Sequence, residues 1–292
     1  MSRNQLVQYC HSQYALKEGQ CPDCPNKEQG LCASKNCSTC FYDMFFCGKE
    51  RSFNCICSTY SYVCRYIYQY SSEIIYLLRL IKSIFTGEHK LENLNIMSIG
   101  CGPCSEAFAI ELFCNEIKYE GNISYCGFDL NPIWEEVHSF VTDNLSFSAS
   151  IITEDCFQYV ESKQDFIYPN ILIFNYLFSD IAVKGNLNQF ITDVVEKIID
   201  KMPAKSIIIV NDINHYMSRD YYKVLISKSN IKNNITQASL SFSGYQYGDR
   251  YSYNNAFFYL KEDSLKKLIS LYDTRTLCTS AQLLMLKRSN KE

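Results

Sequence analysis

From residue 94 onward the apolar positions fall into short strand-like runs separated by stretches that repeat every three or four residues. The runs are NIMSIG (95–100), ISYCGF (123–128), SASIIT (148–153), NILIFNY (170–176) and SIIIVND (206–212). Helical spacing occupies 104–116, 132–144, 155–162 and 187–201. Strands that alternate with helices predict right-handed βαβ units around a parallel sheet. EDSLKKLISLY (262–272) predicts a last helix. TRTLCTS (274–280) and AQLLMLKR (281–288) predict two strands with hardly any connection, which must pair antiparallel.

Two regions stand outside this alternation. Residues 213–258 exceed an ordinary connection and hold a helical stretch (218–229), a polar run (SKSNIKNNITQ) and the tyrosine-rich GYQYGDRYSYNN (244–255). They follow the C-terminal end of a strand, the edge where open α/β sheets bind ligands. Ahead of the sheet, Ile67, Tyr70, Ile74, Leu77, Ile81 and Ile84 recur at steps of three and four, one helical face that packs on the following domain. Residues 1–65 lack long apolar runs and are punctuated by Gly19, Pro22, Pro25, Gly30 and Gly48, so the segment buries little by itself and needs cross-links or metal to be ordered. The expected organisation is a cysteine-rich module (1–65), a connecting helix (66–93) and an α/β domain (94–292) with an insertion at 213–258.

Composition narrows the function classes. The net charge of -3 over 292 residues removes the simplest argument for nucleic-acid binding, a strongly basic chain, though a local basic patch stays open. No apolar stretch reaches membrane-spanning length, and MSRNQLVQYCHSQ lacks the apolar run of a signal peptide, so the expectation is a cytoplasmic protein with reduced thiols and no membrane partner. Ten of the 16 cysteines lie in the first 64 residues. That shift in composition marks a module boundary.

The chemistry concentrates at LNIMSIGCGPCSEAFAIEL (94–112), where a strand pattern stops at Gly100-Cys101-Gly102-Pro103 and a helix begins. Glycines let backbone turn tightly and approach a ligand, and a helix N-terminus offers free N–H groups. The dinucleotide pattern G-x-G-x-x-G fits poorly, because Ser105 stands at its third glycine. S-I-G-C-G-P-C-S-E (98–106) resembles motif I of class I S-adenosylmethionine-dependent methyltransferases, D/E-x-G-x-G-x-G. Gly100 and Gly102 match its first two glycines, with Cys104 at the third and Ser98 at the leading acid.

The resemblance covers about residues 92–288. It implies a doubly wound, mostly parallel seven-stranded sheet whose AQLLMLKR strand is the antiparallel terminal strand. It also implies that Ser98, Gly100, Cys101, Gly102 and Pro103 form the cofactor loop. Asp129, at the tip of the second strand with Leu130 beside it, would accept both ribose hydroxyls, which needs a carboxylate. Asp155 and Cys156 sit where the family meets adenine, and Asn175 and Tyr176 at its active-site edge. Tyr176, Asp180 and His215 are the candidate catalytic groups, and Tyr245 and Tyr247 of the insertion the candidate substrate contacts. The absence of N-P-P-Y/F after the fourth strand argues against amino-methylating nucleic-acid enzymes that use that motif. The expected activity is methylation of a macromolecule, RNA or protein. A cofactor-binding or interaction subunit of a larger complex, without catalysis, stays open because of Ser98 and Cys104, as does a small-molecule acceptor.

In the first module, Cys21-x₂-Cys24 and Cys37-x₂-Cys40 are two knuckles 12 residues apart, a zinc pattern in a reducing compartment. Cys32, Cys47, Cys55 and Cys57 are enough for a second site, giving one or two Zn²⁺, with an iron–sulfur cluster as the rival reading.

Overall fold

The computed structural model describes residues 3–18, 37, 41, 55–87, 90–183, 185–242, 252–253, 262–275 and 277–290. In chain order the elements are α1 (Arg3–Lys17), α2 (Ile56–Leu80), α3 (Ser83–Thr86), β1 (Asn93–Ile99), α4 (Ser105–Ile117), β2 (Asn122–Phe128), α5 (Glu135–Asn144) and β3 (Ser148–Ile152). They continue with α6 (Cys156–Ser162), β4 (Ile171–Asn175), α7 (Phe178–Val183), α8 (Leu187–Lys197), β5 (Ile207–Ile213) and α9 (Tyr216–Lys232). The last are β6 (Asn233–Phe242), the two-residue β7 (Ser252–Tyr253), α10 (Glu262–Tyr272) and β8 (Ser280–Asn290).

All five predicted parallel strands form, each within two residues of its apolar run. The sheet order is β3-β2-β1-β4-β5-β8-β6-β7. β1 to β5 are parallel, and β8 runs antiparallel between β5 and β6. This is a doubly wound α/β sheet of seven strands with the short β7 added at its edge, and it reverses direction of winding between β1 and β4.

Strand alternation explains the two cores. In β4 every residue is buried. Ile171 and Ile173 pack with α1, α2, α4 and α5 on one face, Leu172 and Phe174 with α7, α8 and α9 on the other. A strand buried on both sides reads as a continuous apolar run, as 171–174 does.

Three expectations change. TRTLCTS forms no strand over its described residues 274–275 and 277–279, and β8 begins at Ser280. Its antiparallel neighbours are β5 and β6, so the polar run of the insertion supplies the end of α9 and the start of a sheet strand. Cross-strand pairing with β8 outweighed the low apolar content of 233–237. The boundary expected at residue 65 falls inside α2. Leu6, Val7, Cys10 and Tyr14 of α1 and Ile67, Ile74 and Leu78 of α2 share one apolar cluster with the sheet, so α1 and the start of α2 belong to the main core. Among the described residues no helix is long and apolar enough to cross a membrane.

A buried cation fastens β8 to the turn that enters β5. The fully buried Lys287 Nζ donates to the carbonyls of Ile199 (3.0 Å), Asp200 (3.1 Å) and Met202 (2.7 Å). Lys287→Met leaves those acceptors without this donor and should cost about 1–3 kcal/mol, read as a lower urea midpoint at unchanged slope.

Candidate functional site

A cleft of about 1410 Å³ opens at the C-terminal edge of the sheet, lined by the β1–α4 loop, the tips of β2, β4 and β5, and one face of α2. Gly100 (φ +66) and Gly102 (φ +44) turn the loop through left-handed backbone. A Cβ at Gly100 would come within 2.5 Å of the Leu177 side chain, so glycine keeps this corner open. Asp129 enters from the tip of β2. Its Oδ2 accepts the Gly102 N–H and its Oδ1 the Asn131 N–H, both at 2.9 Å. Burial raises the Asp129 carboxyl above its ordinary range while the two backbone N–H groups pull the other way. The loop and the β2 tip are thereby joined through one carboxylate.

Beneath the loop lies a polar chain that sequence reasoning missed. Glu106, fully buried in the first turn of α4, accepts from Ser98 Oγ and Tyr125 OH at 2.7 Å each. Asn175 Nδ2 donates to Ser105 Oγ at 2.9 Å and lies 3.5 Å from Glu106 Oε2. Asn211 of β5 donates to Asn175 Oδ1 (2.7 Å) and to Glu73 Oε2 (2.9 Å). Glu73, from α2, also accepts the Thr279 N–H at 2.8 Å and the Ser280 N–H at 3.2 Å. Gln282 of β8 donates to Asn211 Oδ1 at 2.9 Å. Burial pushes both glutamates up, and their hydrogen bonds oppose it. The signal available beforehand was only that Glu73 interrupts the apolar face of its helix.

The expected site residues divide as follows. Gly100, Cys101, Gly102, Pro103, Asp129, Leu130, Asp155, Cys156, Asn175, Tyr176 and Asp180 all line the cleft. Ser98 does not: its side chain is buried and turned to Glu106. Asp155 Oδ1 caps α6 by accepting from Phe157 (2.9 Å) and Gln158 (3.0 Å). Tyr176 holds φ 58 and stacks on Tyr70 with centroids 3.8 Å apart. Its hydroxyl lies 3.3 Å from Glu73 Oε1, and burial raises its pKa well above the ordinary value, so it stays a neutral phenol rather than a base. His215 is exposed and packs against Tyr216, and it does not line the cleft although Ile213 and Asn214 do. Tyr245, Tyr247, Cys21, Cys24, Cys32, Cys40 and Cys47 lie outside the described residues. Of the remaining module cysteines, Cys57 is buried, and Cys37 and Cys55 are half-buried.

No family model and no curated protein matches the sequence. Solved structures of similar fold include a SAM-dependent methyltransferase from Archaeoglobus fulgidus (15% identity, 75% of this chain and 94% of that one, TM-score 0.40). Others are a precorrin-6y C5,15-methyltransferase from Geobacter metallireducens (12%, 75% and 88%, 0.42) and a methyltransferase from Pyrococcus furiosus (8%, 72% and 82%, 0.39). These are likenesses of fold; what the cleft does is argued from its own residues.

Two measurements check the polar foundation. Glu106→Gln turns an amide toward hydroxyl donors and should lower stability by about 1–3 kcal/mol in urea unfolding. Asp212 is fully buried at the end of β5 and accepts the N–H of Ser179 at 2.9 Å and of Ile213 at 2.6 Å. Burial raises its pKa from 3.8 to about 6. The folded state therefore holds this proton more tightly than the unfolded chain. The stability it contributes is complete below 3.8 and lost as pH rises through about 6. Asp212→Asn should flatten the wild-type decline over that window, an effect of up to about 3 kcal/mol, measured by denaturant titration at a series of pH values.

Proposed function

We propose that the chain is an S-adenosylmethionine-dependent methyltransferase with a macromolecular acceptor, RNA or protein. The observation that carries this reading is the loop–carboxylate pair at the winding reversal. A glycine corner leaves β1, and Asp129 at the tip of the neighbouring β2 is hydrogen-bonded to it at 2.9 Å. The residues present suit such a cofactor. Gly100 and Gly102 leave the loop backbone bare, and Asp129 brings a carboxylate to the cleft lining. Where the family has an acid, Ser98 donates to Glu106, so a carboxyl group still stands beside that position.

Bound there, the cofactor supplies an electrophilic methyl group on a sulfonium. The chain's own part is alignment and exclusion of water, through which positioning lowers the barrier of a displacement. The Asn175–Asn211–Glu73 chain holds the floor of the cleft, and Phe157 and Phe190 with Tyr66 and Tyr70 form apolar walls. Where the acceptor carries a proton that must leave, Asp180 is one of the carboxylates lining the cleft, on the helix after Tyr176, while burial keeps the Tyr176 phenol neutral. A cleft of about 1410 Å³ exceeds the roughly 300–1,000 Å³ of ordinary small-molecule sites, which supports a second, larger ligand beside the cofactor. For the N-terminal module, the Cys21-x₂-Cys24 and Cys37-x₂-Cys40 spacing is what supports a thiolate-ligated Zn²⁺ in the first 65 residues.

Asp129→Ala should lose a charge-assisted contact of about 1.5–3 kcal/mol, tenfold or more in cofactor affinity by calorimetry. Unchanged affinity in a folded variant defeats the assignment. Transfer of a labelled methyl group to total RNA and to total protein, each followed by nuclease or protease digestion, identifies the acceptor class. Label in neither fraction, with cofactor bound, points to a small-molecule acceptor or to a subunit without catalysis.

A further inference from the structure

Three ligand-type atoms meet between the cleft loop and α5. The sulfurs of Cys101 and Cys104 and a ring nitrogen of His138 all lie within 4.8 Å of one another. The two cysteines close a tight turn in which the Cys104 N–H donates to the Cys101 carbonyl at 2.8 Å. All three residues are buried, at 3%, 0% and 6% exposure.

Three features show that the fold makes room for this group at a cost elsewhere. Cys104 holds φ 55, a left-handed conformation that strains any residue with a side chain and suits glycine. Capping α4 does not explain the thiol, since Cys104 makes no side-chain cap bond. Secondly, a Cβ at Gly127 would come within 2.9 Å of Cys101 Sγ. That sulfur fills the space a side chain on β2 would need. Thirdly, His138 Nε2 lies 2.7 Å from the Gly102 carbonyl oxygen. A carbonyl only accepts, so the proton sits on Nε2 and Nδ1 carries the lone pair. The Gly102 carbonyl also accepts from Cys104 Sγ at 3.8 Å, so an ion here takes the Nδ1 lone pair, or takes Nε2 with release of its bond to that carbonyl.

We propose that Cys101, Cys104 and His138 form a binding site for a zinc-class divalent ion, built into the loop that lines the cleft. A C-x₂-C pair with one imidazole is a soft to borderline donor set, and zinc with three such ligands keeps a fourth position for water or another small ligand. Tetrahedral bonds of about 2.0–2.3 Å set ligand atoms roughly 3.5–3.8 Å apart, so atoms within 4.8 Å of one another close on an ion by movements of up to about 1 Å. Binding exchanges the two thiol protons for the ion, so uptake releases protons and strengthens as pH rises. The site is separate from the cysteines of residues 10–64, and it holds whatever ligand the cleft takes, so it stands or falls apart from the methyltransferase reading. A Cys101–Cys104 disulfide is the rival chemistry for the pair. It has no use for His138, and thiols this buried are shut off from exchange partners.

The test uses the full-length chain, reduced, stripped with a chelator and titrated with Zn²⁺ alone. After desalting, the wild type should retain about one ion more per chain than His138→Gln and Cys104→Ser variants that keep its circular dichroism and melting transition. Should those variants fail to fold, the wild type decides. In sub-denaturing urea, Zn²⁺ should slow alkylation of Cys101 and Cys104, mapped by peptide mass spectrometry. Equal ion content in folded variants overturns the proposal. So does zinc protection confined to cysteines before residue 65, or a Cys101–Cys104 disulfide with no zinc uptake at these residues.

Discussion

The Glu106 carboxylate, sealed from solvent at the start of α4, is the contact on which the cleft is built. Ser98 of β1 and Tyr125 of β2 both direct hydrogens at it, and Asn175 of β4 lies beside it. Three adjacent strand ends and the glycine loop thus share one anchor. A buried carboxylate is tolerated only when its oxygens are well supplied with donors. This also gives a physical reason for serine at position 98. An acid there would place a second carboxylate within hydrogen-bond distance of the first, and two such charges cannot both ionise in a dry site.

A second carboxylate mirrors it across the winding reversal. Glu73 gathers the ends of β5 and β8 as Glu106 gathers those of β1, β2 and β4, and Asn175 and Asn211 bridge the two. Because Glu73 is carried by α2, the helix ahead of the α/β unit is part of the cleft floor. That is why α1 and α2 share the core with the sheet rather than forming a separate body.

Two of the five described non-glycine residues with positive φ stand at this edge. Cys104 and Tyr176 both hold left-handed conformations without being glycine, one on each side of the polar chain. Tyr176 is held there by stacking on Tyr70 and by the bond network around Glu73. Strain of this kind persists only where surroundings over-determine it, and two buried carboxylates with their donors do so.

The parallel strands, their helices and the glycine corner were legible in the chain because each rests on local spacing. Alternation, three- and four-residue repeats, and a Gly-x-Gly between them are properties of neighbours in sequence. Asp129 was legible for the same reason, one βαβ unit beyond the loop. β6 was not, since its polar start pairs only because β8 lies alongside. Nor was Glu106 recognisable as the partner of Ser98, or Glu73 as the floor of a cleft 138 residues from Asn211. A carboxylate's role depends on which donors surround it, and here those donors come from other strands. Cys104 shows the division within one residue. Its place in the loop follows from the sequence, while its left-handed backbone and its approach to Cys101 and His138 follow from tertiary packing, because His138 arrives on a separate helix.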